Sequence, residues 1–387
     1  MNFESLANNY GTPLYVFDCD QIKKRAAYFK QVFPKMELCY AIKANSFVIK
    51  EIIDDIERVE VCSNGEYEIC KMLNIPNEKI VLSGVYKNQE EFEAIFQSDV
   101  NIGRYTIESL HQFELLLELS SKYKKKIQIL PRLTSNNQFG VTEEEIEHII
   151  NTKNEYMDFV GIEYFSGTQK HSMKRIQKEF EIIKNLIEKI EKNGTVSIQE
   201  IEYGTGFPIY YFQGDSFDEA AFFQEFNSLM QEYFHDKKIV LEIGRSLVAN
   251  AGYYFTKVVD FKENKTGKYV ILDGGNNHLV YYGQTMAMKI PFYEILNKDN
   301  SGEELVNLCG SLCTVNDILV KQLNVPKLEI NDIFVFKNAG AYSVTEGISL
   351  FLSRDLPKVV LISNQKERVV RDHVNTYTIN RPVYGGE

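Results

Sequence analysis

Lys43 closes an apolar run, Cys39-Tyr40-Ala41-Ile42, and none of its nearest sequence neighbours is acidic. A lone ammonium buried at the end of such a run would have its pKa lowered, leaving a neutral, nucleophilic amine near neutral pH. Lys43 is therefore a candidate Schiff-base former. A second set of residues suits an anion. Gly204-Thr205-Gly206 lets backbone N–H groups approach a phosphate closely, and Arg245 offers a charged, bidentate contact. An amine facing a phosphate site points to pyridoxal 5'-phosphate, whose aldehyde condenses with the amine while its phosphate is held apart. Glu242 then has a task. A carboxylate against the pyridine nitrogen keeps it protonated, so the ring can accept an electron pair from a substrate's α-carbon.

Such groups must be carried to one place, and the runs that hold them are regularly spaced. Short β-rich runs begin near Cys39, Val59, Ile80, Asn101, Ile127, Phe159, Ile198 and Ile239, about 20 to 40 residues apart. Stretches between them, such as 173–193 and 217–234, have the apolar spacing of amphipathic helices. Eight β-α units fit a (β/α)8 barrel better than an open doubly wound sheet, whose usual dinucleotide fingerprint is absent. In such barrels, functional groups gather where strands end. Lys43 ends strand one, and Glu60, Ser63 and Glu66 end strand two. Arg132 ends strand five, and Thr168 and Gln169 follow strand six. The glycine loop follows strand seven, and Glu242, Gly244 and Arg245 end strand eight.

After about residue 250, strand-like runs at 252–260, 269–272, 333–338 and 359–362 lack regular intervening helices, which predicts an antiparallel β domain. Pro13-Leu14-Tyr15-Val16-Phe17 is also strand-like and could join that sheet. The expected division is a barrel over 27–248 and a β domain formed by 1–26 with 249–387.

Bulk properties narrow the function. The chain has 387 residues, 44% hydrophobic and 25% charged, with a net charge of -11. That charge disfavours a nucleic-acid binder, which needs a basic stripe. No apolar run has the length of a membrane span, and the start, Met1-Asn2-Phe3-Glu4, does not read as a signal peptide. Six scattered cysteines without a CxxC pair predict reduced thiols in the cytoplasm and neither a disulfide framework nor a metal site.

Six short motifs in order give a family resemblance. They are Tyr40-Ala41-Ile42-Lys43-Ala44-Asn45, Val61-Cys62-Ser63-Asn64-Gly65-Glu66, Gly204-Thr205-Gly206-Phe207, Glu242-Ile243-Gly244-Arg245, Leu308-Cys309-Gly310-Ser311-Leu312-Cys313 with Asp317, and Ala339-Gly340-Ala341-Tyr342. The chain resembles the alanine-racemase-like (fold-type III) pyridoxal-phosphate-dependent decarboxylases, the group of diaminopimelate and ornithine decarboxylases. The resemblance implies a head-to-tail homodimer in which Cys313 and Tyr342 complete the partner's barrel site. It implies that Lys43 holds the cofactor, that Tyr342 contacts its phosphate, and that Cys313 reprotonates the α-carbon after carbon dioxide leaves. It also places Glu60, Ser63, Arg132, Phe165, Thr168, Gly204, Thr205, Gly206, Glu242, Gly244 and Arg245 around the cofactor.

The chain departs from the family pattern at several points. Phe165 stands where a histidine stacks on the cofactor ring, Thr205 replaces the middle glycine, and Ile243 replaces a proline. Thr314 follows Cys313 where diaminopimelate decarboxylases have a glutamate that reads the substrate. Thr314 and Asp317 are the expected substrate contacts, and Glu163 is a further carboxylate able to take a distal ammonium. The Cys-Thr-x-x-Asp form and the Gly-Thr-Gln ending look more like decarboxylases of antibiotic and siderophore pathways, which act on amino acids linked to a carrier protein or another conjugate. Two other readings stand beside the decarboxylase. A racemase of this fold is expected to use arginine at the ring nitrogen and tyrosine as second base, where this chain has Glu242 and Cys313. A non-catalytic binding homologue could dispense with Lys43, Glu242 or Cys313.

Overall fold

The computed structural model describes residues 1–152, 154–192, 196–299 and 301–383. Two compact units are present. One comprises Lys23–Pro208 with Phe217–Leu247, and the other Met1–Ile22, Ile209–Ser216 and Val248–Glu387. The last four residues of the expected 249–387 segment, and the last of the expected helix 173–193, lie outside the described residues.

The strands are, in chain order, β1 (Leu14–Asp18), β2 (Met36–Ala41), β3 (Arg58–Val61), β4 (Ile80–Leu82), β5 (Arg104–Ile107), β6 (Ile127–Leu133), β7 (Met157–Phe159), β8 (Gly161–Tyr164), β9 (Glu200–Gly204), β10 (Lys238–Ile243), β11 (Gly252–Asn264), β12 (Gly267–Leu272), β13 (Tyr293–Ile295), β14 (Glu304–Cys309), β15 (Ile318–Val325), β16 (Ile333–Phe336), β17 (Lys358–Ser363) and β18 (Lys366–Arg371). In the first unit the order β5-β4-β3-β2-β10-β9-β8-β6 closes on itself through β5–β6, and every one of these pairs is parallel. That is an eight-stranded barrel, with β7 added beside β6. The run expected from Phe159 is split, so that β8 rather than β7 continues the barrel.

Amphipathic helices cover the barrel. Met173–Lys192 buries Ile176, Phe180, Ile183, Leu186, Ile187 and Ile190 on one face, the 3.6-residue pattern read from sequence. Side-chain caps start several helices: Ser63 before Asn64–Met72, Ser109 before Leu110–Tyr123, and a Thr142–Glu145 capping box before Glu143–Asn151.

The two ends of the barrel differ. At the amino ends of the strands, Arg58 makes paired hydrogen bonds to Glu200 at 2.9 and 2.8 Å, and Arg104 reaches the same carboxylate at 2.7 and 3.0 Å. Burial disfavours the charged form of Glu200, but the two guanidinium groups outweigh it and hold the pKa down to about 2. This end is sealed by fixed ion pairs. Near the opposite end, Ser83, Glu108, Arg132 and Glu163 carry buried polar atoms without a hydrogen-bond partner.

The second unit is built on a mixed sheet, not the purely antiparallel one expected. Its order is β15-β14-β12-β11-β1-β17-β18, with β16 on β11 and β13 on β16. β1–β17 and β12–β14 are parallel. Alternating apolar residues allow either direction, and the long connections decide it. β1 lies between β11 and β17, so the N-terminal run belongs to this sheet. Leu14, Val16, Phe255, Val335 and Val360 pack together in its core.

Candidate active site

Three strands bring the lysine and two carboxylates together. Register sets Ala41 of β2 opposite Glu60 of β3, and Cys39 of β2 opposite Glu242 of β10. Lys43 follows β2 in a single 3-10 turn, Ile42–Ala44. Its Nζ lies 2.7 Å from Glu60 Oε2 and 3.6 Å from Glu242 Oε1. The expectation of a lone, buried ammonium is corrected. The side chain is 35% exposed and is paired by carboxylates 17 and 199 residues further along, which a local reading of the run does not reach.

The two carboxyl groups are unequal. Burial disfavours ionisation of both. At Glu60 that effect is overcome by the Lys43 ammonium and by hydrogen bonds from Lys43, Glu242 and Cys62, so its pKa is lowered. At Glu242 burial and the charge on Glu60 prevail over Lys43, and the pKa is raised. Of the two, Glu242 holds its proton the more tightly. Glu163, from β8, joins them: one oxygen from each of Glu60, Glu163 and Glu242 lies within 4.8 Å of the others. Burial also pushes Glu163 well up, against the opposing charge of Arg132.

Arg132, near the end of β6, is buried and donates to Glu108 at 3.0 Å, with Glu163 3.6 Å from its Nε. Arg245 donates to Thr168 Oγ1 at 3.2 Å, which ties the segment after β10 to the segment after β8. Gly244 is the residue between β10 and the short helix Arg245–Val248. Thr205 is fastened by its N–H and its hydroxyl to the carbonyl of Glu242, at 3.1 and 3.0 Å.

The two glycines of the loop have separate reasons. A Cβ on Gly204 would lie 2.2 Å from Phe165 Cδ2, so Gly204 admits the Phe165 ring across β9. Gly206 has φ +54°, and a Cβ there would meet the Gly167 carbonyl at 2.2 Å. The backbone N–H groups of Gly206 and Phe207 meet no acceptor among the described residues. The loop's next residue, Phe207, is anchored between Phe223 and Phe226, with ring centroids 4.7 and 4.9 Å away.

Other expected residues take different places. Ser63 is exposed, and its hydroxyl caps the following helix by accepting from Glu66 N–H at 3.2 Å. In the β unit, Asp317 was expected to meet substrate. It is buried, and its two oxygens accept the N–H groups of Asn276 and Leu312 at 2.8 and 2.7 Å, so it holds the loop that carries Cys313 and Thr314. Cys313 is exposed, Thr314 is half-buried, and Tyr342 has φ +65°, a left-handed backbone that few side chains adopt.

Some residues of the barrel mouth escape a motif-based reading. Ser83 follows β4 and Glu108 follows β5; the strand-end rule, applied to those two strands as well, finds both. Ser83 Oγ, Glu108 Oε1, Arg132 Nε and both oxygens of Glu163 are buried without a hydrogen-bond partner. Lys87 is buried too, and burial lowers its pKa to about 8. Buried polar groups left unsatisfied are uncommon, and several together fit a polar ligand. An amine on Lys43, a protonated carboxyl on Glu242, donors on Gly206, Phe207 and Arg245, and an aromatic face on Phe165 match the amine, ring-nitrogen, phosphate and stacking needs of pyridoxal phosphate. The residues present fit the group.

A parallel barrel with a lysine and a paired acid at its strand ends defines a class, the pyridoxal-phosphate enzymes built on this barrel. Residues 19–249 match the family model described as "Pyridoxal-dependent decarboxylase, pyridoxal binding domain", and the chain belongs to that family. Pyridoxal phosphate is its cofactor and amino-acid decarboxylation its reaction. It is 26% identical over 406 residues to the diaminopimelate decarboxylase of Methanocaldococcus jannaschii, covering 95% of this chain and 90% of that one. Similarity also extends to the L-glutamyl-(BtrI acyl-carrier protein) decarboxylase of Niallia circulans, at 27% over 402 residues and 95% and 92% coverage. The crystal structure of the M. jannaschii diaminopimelate decarboxylase aligns with a TM-score of 0.86 at 25% identity, covering 98% of this chain and 94% of that one.

Proposed function

We propose that this decarboxylase removes the α-carboxylate of an amino acid linked to a carrier protein or a similar conjugate, at a site shared between two copies of the chain. The observation that carries the site assignment is the Lys43–Glu60–Glu242 cluster, in which one amine lies 2.7 and 3.6 Å from two buried carboxyl groups whose pKa values are pushed in opposite directions. Bound pyridoxal phosphate supplies the electron sink into which the Cα–carboxylate bond pair flows. Lys43 is the amine that holds the cofactor's aldehyde carbon, and Glu60 keeps that side chain in place. Glu242 carries the proton that a hydrogen bond to the ring nitrogen requires. Gly206, Phe207 and Arg245 bind the phosphate, with Thr168 orienting Arg245. Phe165 covers a ring face as a flat hydrocarbon, without the charge or hydrogen bond of a histidine.

The conjugate reading is supported by Thr314, which cannot pair a free distal ammonium as a glutamate would, and by the similarity to a decarboxylase named for a carrier-linked glutamyl group. The homodimer is supported by exposed apolar side chains beside one another: Val315, close to Cys313 in the chain, and Met286, 89% and 75% exposed, line one shallow cavity. Cytoplasmic placement is supported by the free thiols of all six cysteines.

The test is carbon dioxide release from a panel of free and carrier-linked amino acids. Release from the carrier-linked forms at a higher kcat/KM is the expected result. Release from free amino acids alone overturns the conjugate assignment, and α-proton exchange without release overturns the decarboxylase. Cys313→Ala is expected to keep the cofactor but slow turnover about 10²-fold, the lower end of a general acid's contribution, with loss of the stereospecific deuterium addition at the α-carbon seen in deuterated water. Mixed with Lys43→Ala chains, it should regain activity, because a mixed dimer holds one intact site. Unchanged turnover and stereochemistry in Cys313→Ala would remove the thiol from the reaction.

A further inference from the structure

Behind the glycine loop lies a lysine that no motif singles out. Lys170 is fully buried, and its three ammonium protons have three acceptors: Glu179 Oε2 at 2.8 Å, the Tyr203 hydroxyl at 3.1 Å and the Gly204 carbonyl at 2.9 Å. Its backbone N–H donates to the Gly206 carbonyl at 2.8 Å. One residue therefore grips the loop at both ends. Its side chain also lies along Gly206, where an added Cβ would come within 3.1 Å of Lys170 Cγ and Cε.

The grip decides where one of the loop's donors points and fixes the backbone on either side of the other. A trans peptide directs its C=O and N–H to opposite sides. With the Gly206 carbonyl turned onto Lys170, the Phe207 N–H is directed away from it. Glu179 balances the buried ammonium, and it is itself held by the Tyr203 hydroxyl at 2.6 Å, by Ser166 Oγ and by Arg175 Nε at 3.3 Å. A buried pair of this kind is weak evidence for stability alone, since an apolar pair of similar volume would serve as well. Its geometry serves the loop.

We propose that Lys170 is a positioning residue for the cofactor's phosphate, clamping the Gly204–Gly206 backbone so that the Gly206 and Phe207 N–H groups converge on the anion. The proposal rests on the reading that this loop receives the phosphate. Lys170 does not touch the reacting atoms, so the loss it causes belongs to phosphate recognition and not to chemistry.

The test titrates cofactor-free protein with pyridoxal 5'-phosphate and with pyridoxal, which lacks the phosphate, following the visible absorbance and thermal melting of each. For Lys170→Met, the expected result is at least a tenfold fall in the preference for the phosphorylated form, with pyridoxal binding little changed. If the wild-type protein shows no preference, the phosphate reading of the loop fails and this proposal with it. If the wild type prefers the phosphate and Lys170→Met keeps that preference within twofold, the role of Lys170 is overturned while the loop assignment stands. Equal weakening of both ligands also overturns it. Should Lys170→Met not fold, the paired replacement Lys170→Met with Glu179→Met, which leaves no unpartnered buried charge, is measured against the same thresholds.

Discussion

Lys43→Ala will abolish carbon dioxide release, with turnover falling by about three orders of magnitude or more, the scale on which loss of a covalent group acts. No neighbouring side chain replaces it. Lys87, a buried lysine of the barrel mouth, donates to the Gly84 carbonyl at 3.1 Å, and Lys170 is engaged by Glu179 and the glycine loop. The variant should fold, because a 35% exposed side chain contributes little to the core, and the buried Glu60 carboxylate can take up a proton once its ammonium partner is gone. Borohydride reduction followed by peptide mapping gives the check. Wild-type protein should carry a pyridoxyl group on the peptide that contains Lys43, and the variant should carry none there. Turnover within tenfold of wild type in Lys43→Ala would refute the assignment.

Glu242→Gln is expected to lower kcat by about 10³-fold, the upper range for removing one preorganised electrostatic partner, while pyridoxal phosphate still binds. The amide has the size of the carboxyl and can still donate to Glu60, so packing and the local hydrogen bond survive. What it lacks is an ionisable proton and the negative charge that remains once that proton is shared with a ring nitrogen. Glu242 is fitted for this by its surroundings: burial and the Glu60 charge raise its pKa, so it keeps a proton that an exposed glutamate would have lost. Single-turnover kinetics on cofactor-loaded protein separate chemistry from binding. A chemical rate within threefold of wild type would exclude Glu242 from the electron sink.

How far the primary structure carries the reading depends on the distance over which each feature is decided. Lys43 is legible because an apolar run ending in a lysine is a local pattern. Its companions are not, because Glu60 reaches it by one strand register and Glu242 by another, and nothing near Lys43 in the chain announces either. Gly204 is visible as part of a glycine pair, but the Phe165 ring that requires it comes from the preceding strand's end. Asp317 shows the converse. Its place after Cys313 suggests substrate recognition, and its two backbone hydrogen bonds give it a loop to hold. Lys170 looks like a surface lysine ahead of an amphipathic helix, and only packing reveals that it has no exposure.

The amino-acid order by itself determined the alternation of strands and helices, the barrel closing in eight strands, and the family motifs that name the cofactor. The first two follow from periodicity, and the motifs speak through their resemblance to a known family; none of these needs the tertiary structure. The tertiary structure alone decided the protonation of the acids, the direction of strands in the β unit and the clamp on the glycine loop. Each of these depends on groups brought within a few ångströms from distant parts of the chain, where burial and unscreened charge act together and sequence distance has no meaning.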